Sequence, residues 1–427
     1  MIVCRNSGCA HLRRVMGSAG ARFALAGLLT ALALVSWACK RREWPPPVIE
    51  ELRGLGDAPV VRVQLYVGKG PLVVRSEGNW EYVIGQVLAD GRPSALEEGG
   101  DESAPVEVCT PLAPYAEVSV SVSANGLTLA GQPLDGTEVI FRSTGERPLL
   151  FNGRPYRGTL HVRYFGGELV RVVNLVGAED YVPAVVGGEV PTNWPLESLK
   201  AQAVAARTYV LYWHQVREGG EYDVLADTRD QVYIGMAGEN ARTLAAAAAT
   251  RGLVMTYHGA LFPAYYHSTC GGHTEDATAV FPRTQAHFLK GVLCGYCDTA
   301  PRFAWRVRLP LGIVRERLSS AYARLGAIVE AETEVGERRV EYVVLYTEQG
   351  KTSIPVHLFR HLVAPDKIHS LWFTARVAGD ELVIEGRGHG HGVGMCQYGA
   401  RGMAKAGFPW HQILAHYYPE ASLARLY

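Results

Sequence analysis

The chain has 427 residues, with 42 basic and 42 acidic side chains, so its formal net charge at pH 7 is zero. That balance argues against nucleic-acid binding driven by bulk electrostatics and leaves neutral or zwitterionic ligands open. Length alone suggests roughly two to three domains. An apolar fraction of 48% is ample for a core, and 47 glycines and 23 prolines favour a strand- and loop-rich chain over a helical bundle.

The N-terminus reads as a targeting segment. Arg13, Arg14 and Arg22 precede the uncharged apolar run from Phe23 to Trp37, with Met16 as an alternative start. The run is too short to span a membrane and ends in small residues, as a secretory signal does. Ser36-Trp37-Ala38-Cys39 resembles a bacterial lipoprotein cleavage site, making residues 1–39 a signal peptide and Cys39 the lipidated first residue. The bulky Trp37 and the missing Leu at position 36 leave plain secretion or an uncleaved anchor as alternatives. In each case the mature chain is expected outside the cytoplasm. Residues 40–58 are charged and Pro-rich and read as a tether.

From Val60 the pattern has period two. Strands are predicted at Val60–Val67, Glu117–Val122, Thr137–Phe141, Thr159–Tyr164 and Leu169–Val173, with turns at Asn125-Gly126 and Asn152-Gly153. Residues 60–178 are therefore a β-rich N-terminal region, and the acidic stretch 96–105 reads as a loop. Asp180 to Pro195 is Gly/Pro-rich and reads as irregular, carrying Glu189 between Gly187-Gly188 and a strong helix. In that helix Leu196, Leu199, Ala203, Ala206, Val210 and Trp213 share one face, with Arg207 at its border. Pro195 suits the first helical position, and Thr192 or Asn193 is placed to cap it. A guanidinium at such a border needs a partner, so Glu189 and Arg207 are candidates to converge on one site, or else a loop carboxylate and a structural ion-pair partner.

Farther on, residues 222–233 read as a loop entering a short strand and 240–250 as an Ala-rich helix stopped by Gly252. Strands are expected near 254–257, 264–269 and 303–311, a helix over 311–325, several short strands over 328–384, and a helix over 410–418. The whole reads as α+β: a β-rich N-terminal region, then a core over 179–427 of mixed strands with a few helices around a substrate groove, with a strand-rich insertion near 303–384.

Three constellations carry chemistry. Gly187 and Gly188 would let backbone approach a bulky ligand, and a desolvated Glu189 would hold its proton near neutrality, as a general acid must. The stretch Gly386 to Ala400 surrounds His389 and His391 with glycines. It reads as a substrate-lining loop, against a tight turn with satisfied core histidines. Cys270-Gly-Gly-His273 with Cys294-Gly-Tyr-Cys297 offers four ligands of the zinc type. Disulfides compete and are favoured in a secreted chain. Outside the leader the cysteines are Cys109, Cys270, Cys294, Cys297 and Cys396, so two disulfides leave one thiol over.

Taken together, the segment running to Trp-Pro-Leu-Glu-Ser-Leu-Lys-Ala-Gln-Ala-Val-Ala-Ala-Arg-Thr-Tyr, Asp227-Thr with Gln231-Val-Tyr233, His267-Ser-Thr-Cys-Gly-Gly and Gly388-His-Gly-His-Gly-Val-Gly-Met-Cys-Gln-Tyr-Gly-Ala resemble, in order, the motifs of the stage II sporulation protein D family. That family includes lytic transglycosylases and related amidase enhancers. The resemblance covers roughly residues 60–427. It implies cleavage between N-acetylmuramic acid and N-acetylglucosamine in peptidoglycan strands stripped of stem peptides, giving 1,6-anhydro products. It places the essential acid on Glu189 and a second functional position on Arg207. Gln202, Gln231, Tyr233, His389, His391 and Gln397 fall in its motifs as expected substrate contacts. A non-catalytic, glycan-binding amidase enhancer is the alternative, and a zinc amidase at the cysteines a third.

No cofactor is required by this reading, and a structural zinc at Cys270, His273, Cys294 and Cys297 stands beside the disulfides. Some relatives carry zinc ligands in a Cys-Asp-Thr-Thr-His-Cys-Gln-Val-Tyr stretch. Here Ala226-Asp-Thr-Arg-Asp-Gln-Val-Tyr is one residue shorter and has neither thiol nor imidazole, so a metal at the cysteine cluster would be a different site. Expected partners are glycan strands and a cell-wall amidase, not nucleic acid. The expected location is the periplasmic side of the envelope, with membrane contact only through the lipid on Cys39.

Overall fold

The structure is a computed structural model that describes residues 47–51, 56–85, 109–134, 136–336 and 338–427. The leader with Cys39, the remainder of the expected tether and the acidic loop 96–105 lie outside the described residues.

Period-two alternation produces two sheets from the first part of the chain. One has seven strands, in the order Val224–Leu225, Val60–Gly68, Leu169–Gly177, Thr159–Gly166, Glu138–Ser143, Trp80–Gly85 and Cys109–Leu112. The other has six, in the order Arg154–Tyr156, Leu149–Phe151, Leu72–Ser76, Glu117–Ser123, Gly126–Leu129 and Gln132–Pro133. Asn152 and Gly153 both take positive φ, 46° and 80°. That is the hairpin turn whose twist matches its strands.

The helices are α1 (Ala178–Glu189), α2 (Leu196–Val216), α3 (Ala241–Ala249), the single turn α4 (Ala277–Val280), α5 (Leu311–Leu318), α6 (Val356–Val363), α7 (Gln397–Lys405) and α8 (Trp410–Tyr417). Four of these differ from the sequence reading, the first being α6, which falls within the stretch 328–384 read as short strands. Residues 178–189 are helical, despite Pro183 inside and two glycines near the end. Burial overrides propensity there, because Tyr181, Val182, Ala184, Val185 and Val186 are all at most 1% exposed. The helix after Pro310 stops at Leu318, short of Leu325. The glycine-rich stretch ends at Met395–Cys396, which pair in parallel with Tyr266–His267, and Gln397 opens α7.

Helix α2 is buried on nearly all sides, the mark of a central helix. Leu199, Ala203, Ala206 and Val210 join the core that runs through the strands of 60–177 and α1, so one cluster crosses residue 178. Ala201, Val204 and Ala205 join a second core with Phe262, Ile413 and Tyr417. A third core, with Val314, Val343, Phe359 and Leu382, fills the strand-rich stretch near 305–384. That stretch holds two three-stranded sheets together with α5 and α6.

Part of the expected tether is tied down. Ile49–Glu51 is a strand lying parallel to Ser422–Arg425, which pairs in turn with Leu253–Tyr257. Pro195 sits one residue before α2, as its cap, with φ −53° and ψ 139°, and no side chain caps that end. Asn240 does cap α3, its side chain accepting from the backbone of Arg242 and Thr243.

Candidate active site

Glu189 is the last residue of α1, set there by close packing of the helix's final turn. A Cβ on Gly187 would lie 1.9 Å from the carbonyl oxygen of Gly238, and one on Gly188 would lie 2.2 Å from that of Val232. The two glycines therefore admit neighbouring backbone rather than a ligand, correcting the role expected from sequence. The same contact brings Val232 close enough for its N–H to donate to Glu189 Oε1 at 2.7 Å.

The other neighbours of the carboxylate are neutral. Gln397 Nε2, from the first residue of α7, donates to Glu189 Oε2 at 3.4 Å and to Gln202 Oε1 at 3.4 Å. Tyr266 adds a side-chain hydrogen bond. Burial is the largest influence on the Glu189 carboxyl and raises its pKa above the ordinary value, while Val232, Tyr266 and Gln397 pull it back in part. Part of the residue still reaches the surface. This is a carboxyl able to hold a proton and to give it up.

A buried frame stands behind it. Gln231 accepts from the Tyr181 hydroxyl at 3.0 Å and donates to the Tyr266 hydroxyl at 2.9 Å and to the Ala206 carbonyl at 3.3 Å. His391 Nε2 donates to the Tyr266 carbonyl at 2.8 Å, and its Nδ1 accepts from the Val393 N–H at 3.1 Å. Both ring nitrogens are thus committed to one neutral tautomer, and burial pushes the His391 pKa down to about 4. His391, partly exposed, has both ring nitrogens satisfied and fixes the backbone of Tyr266. It hangs on a loop in which Gly388, Gly390, Gly392 and Gly394 all take positive φ.

Several expected contacts lie elsewhere. Arg207 is fully buried and does not meet Glu189. It grips Glu179 in the first turn of α1, through Nε at 2.8 Å and Nη2 at 2.9 Å, and reaches the carbonyls of Ala247 and Leu253. Ten residues of helix separate Glu179 from Glu189, about 15 Å. Arg207 is a structural ion-pair partner in this geometry. Tyr233 is buried with its hydroxyl on Asn174 Oδ1 at 2.8 Å and its ring 4.9 Å from that of Tyr181, so it frames the core. Gln231 and Gln202 are also buried, and act on the site through Tyr266 and Gln397. His389 is half-buried, its ring 5.3 Å from that of His369, and burial lowers its pKa to about 4.

The sequence reading did not single out Tyr266, Val232 or Tyr398. Tyr398 follows Gln397, and its ring meets that of Trp194 edge-on at 4.9 Å, with the Arg401 guanidinium 5.2 Å over Trp194. In sequence Trp194 lies five residues after Glu189, and Tyr398 directly follows Gln397. A hollow of about 600 Å³ lies against the later sheets, lined by Trp305, Arg306, Trp372 and Arg387 among others, and Glu189 is not part of its lining.

At the cysteines the expected ligand set changes. The sulfurs of Cys270, Cys294, Cys297 and Cys396 all lie within 4.8 Å of one another. No disulfide joins them. The His273 ring instead engages the Thr274 carbonyl and Arg338.

Comparison with known proteins places the chain among relatives. Residues 167–257, which span α1, α2 and α3, match the family model described as stage II sporulation protein. An uncharacterized protein of Brachyspira hyodysenteriae is 34% identical over 271 residues, covering 62% of this chain and 72% of its own. The amidase enhancer of Bacillus subtilis is 28% identical over 290 residues, or 56% of this chain, but the match spans only 39% of that longer relative. The stage II sporulation protein D of Bacillus subtilis is 30% identical over 261 residues, 58% of this chain and 74% of the relative. With 30% identity across 74% of the stage II sporulation protein D of Bacillus subtilis, the chain belongs to the stage II sporulation protein D family.

Proposed function

We propose that the protein acts in the cell wall as a lytic transglycosylase on peptidoglycan strands freed of stem peptides, with Glu189 as its single acid–base group. The observation that carries the proposal is the setting of this carboxyl. Burial raises its pKa, and the neighbours that act on it among the described residues are the neutral donors Val232, Tyr266 and Gln397.

Protonated Glu189 gives its proton to the glycosidic oxygen between N-acetylmuramic acid and N-acetylglucosamine as the bond to the anomeric carbon breaks. The resulting carboxylate then takes the proton from the muramoyl 6-hydroxyl, whose oxygen bonds to that carbon and closes a 1,6-anhydro ring. One carboxyl suffices because the substrate supplies the nucleophile from within its own ring, at high effective concentration. Gln397 and Tyr266 position the carboxyl. The partly exposed Tyr398 ring, next to Gln397, offers an apolar face for a sugar ring to lie on. The leader, with lipid on Cys39, would hold the chain at the periplasmic face of the envelope.

Denuded glycan strands digested with the full chain are expected to yield 1,6-anhydro products by mass spectrometry. Glu189→Gln should slow their release about 10²- to 10⁴-fold, the usual worth of one acid–base group. Equal yields from the two proteins would end the enzymatic reading. The 28% identity to an amidase enhancer supports a second reading, a glycan-binding partner of a cell-wall amidase. On that reading the chain stimulates an added amidase while releasing no anhydro sugar.

A further inference from the structure

Four cysteines from three separate segments meet in the second core. Cys270 follows the strand Tyr266–His267, Cys294 and Cys297 form one Cys-x-x-Cys turn, and Cys396 caps α7. All four are at most 5% exposed, and their sulfurs lie within 4.8 Å of one another, with Cys270 and Cys297 at 3.5 Å. Tetrahedral zinc with bonds of about 2.3 Å holds its thiolates about 3.8 Å apart. Disulfide sulfurs must come to about 2.05 Å. The spacing matches a shared ion.

The backbone is shaped for the same purpose. Gly295, inside the Cys-x-x-Cys turn, takes φ 67°, and Gly271 and Gly272 after Cys270 take 79° and 124°. These left-handed positions let each turn double back toward the cluster. Gly272 N–H donates to Cys270 Sγ at 3.4 Å, and Cys270 N–H and Gly399 N–H each donate to Cys396 Sγ at 3.3 Å. The Tyr417 hydroxyl lies 3.1 Å from Cys294 Sγ. Donors of this kind stabilise thiolates over thiols. Gly399 cannot be larger, because a Cβ there would lie 2.0 Å from the Tyr417 hydroxyl and 2.6 Å from Cys294 Sγ.

We propose that Cys270, Cys294, Cys297 and Cys396 form a tetrathiolate zinc site. Binding releases the four thiol protons, and the two excess negative charges are carried by the amide and tyrosine donors around the sulfurs. Four protein ligands fill the tetrahedral shell, so the ion has no open position for water or substrate and its role is structural. That also removes the zinc-amidase reading of the cysteines. The site clamps three chain segments at one point, and the residue after Cys396 is Gln397, which reaches Glu189 Oε2. The metal thereby holds α7 in the position that presents Gln397 to the carboxylate. The proposal stands whatever reaction Glu189 performs, since its test reads metal and not activity.

The full chain, purified without chelator from zinc-replete cells, is expected to carry stoichiometric zinc by mass spectrometry of metals. Exchange with cobalt(II) should give the thiolate-to-cobalt charge-transfer band and the strong visible absorption of a tetrahedral sulfur site. Cys297→Ser and Cys396→Ser should each weaken or abolish that spectrum. Cys109→Ser should leave it intact, because Cys109 lies outside the cluster, beside Arg142. Should a serine variant fail to fold, the wild-type metal content and the thiol count in denaturant, with and without chelator, decide alone. Metal-free protein with four free thiols, or peptide masses showing these cysteines joined as disulfides, would overturn the proposal.

Discussion

The two ends of helix α1 each carry a glutamate, and they are treated in opposite ways. At the first turn Glu179 receives the bidentate guanidinium of Arg207, the Gly252 N–H at 3.1 Å and the Tyr427 hydroxyl at 2.8 Å. Burial opposes ionisation there too, yet Arg207 and the other donors outweigh it and hold the Glu179 pKa below its ordinary value. At the last turn Glu189 meets, among the described residues, the neutral donors Val232, Tyr266 and Gln397, and burial prevails. The helix macrodipole sharpens the contrast, because a carboxylate is favoured at the N-terminal end and disfavoured at the C-terminal end. One glutamate is therefore held toward its anion and joins α1, α2, α3 and the C-terminus. The other is a carboxyl held toward its protonated form. Desolvation acts on both, and the presence of a single cation decides which outcome follows.

Glu189→Gln tests this contrast most severely, since it should move activity and stability in opposite directions. The loss in rate of about 10²- to 10⁴-fold is worth about 3–5 kcal/mol of barrier. Stability should not fall with it. Because the folded-state pKa of Glu189 is raised, its contribution to stability is fully present below the ordinary value of 4.5 and lost as pH rises through the folded value. At neutral pH the variant should melt at or above the wild-type temperature, with the gap closing in acid. A lower melting temperature at neutral pH would mean that the carboxylate is stabilised as the anion.

Glu179→Gln should do the reverse. It strands a fully buried guanidinium, and breaking a buried pair from one side costs about 3–5 kcal/mol. In the wild type Glu179 has a lowered folded-state pKa, so its stabilisation is present above 4.5 and lost as pH falls through the folded value. Denaturant melts across that range should show wild type approaching the variant in acid. Arg207→Ala should mimic Glu179→Gln in stability. If it instead abolishes turnover with an unchanged melt, Arg207 acts at the reacting centre after all.

Much of the frame that supports this contrast was readable in the sequence. Period two gave the strands from Val60 to Gly177, and the three-four spacing from Leu196 to Val210 gave the buried helix. Asn240 and Asn152-Gly153 marked a cap and a turn through their own local chemistry. Glu189 was legible only through its motif. What stayed hidden depends on partners distant in sequence. Arg207 reads as a border cation until Glu179, 28 residues earlier, is seen to take it. Cys396 reads as a spare thiol until the pairing of Tyr266–His267 with Met395–Cys396 carries it to the other cysteines. Helix α1 defeats propensity because Gly187 and Gly188 serve a contact with Gly238 and Val232 that local sequence does not encode.

That contact offers a smaller perturbation at the Glu189 end alone. Gly188→Ala places a methyl 2.2 Å from the Val232 carbonyl oxygen, so either α1 or the Val232 segment must shift. Overpacking of this kind costs about 1–3 kcal/mol. The Val232 N–H that binds Glu189 Oε1 belongs to the displaced segment, so turnover should fall more than the melt alone accounts for. Equal losses at the optimum and in denaturant would reduce Gly188 to a packing residue.

The finest comparison removes one hydroxyl from each end. Tyr266→Phe deletes a donor that favours ionised Glu189, so the Glu189 pKa should rise further. An enzyme that needs this group protonated loses rate on the alkaline side of its pKa, so that limb of the kcat/KM profile should move to higher pH. Tyr427→Phe deletes the corresponding hydroxyl from Glu179, where Arg207 still dominates. It should lower stability by about 1 kcal/mol and leave the profile in place. A limb that moves with Tyr266 and not with Tyr427 assigns the titrating group to the Glu189 end. A limb that moves with neither places the acid elsewhere, because no other change to this pair of carboxyls separates their titrations so cleanly from their packing.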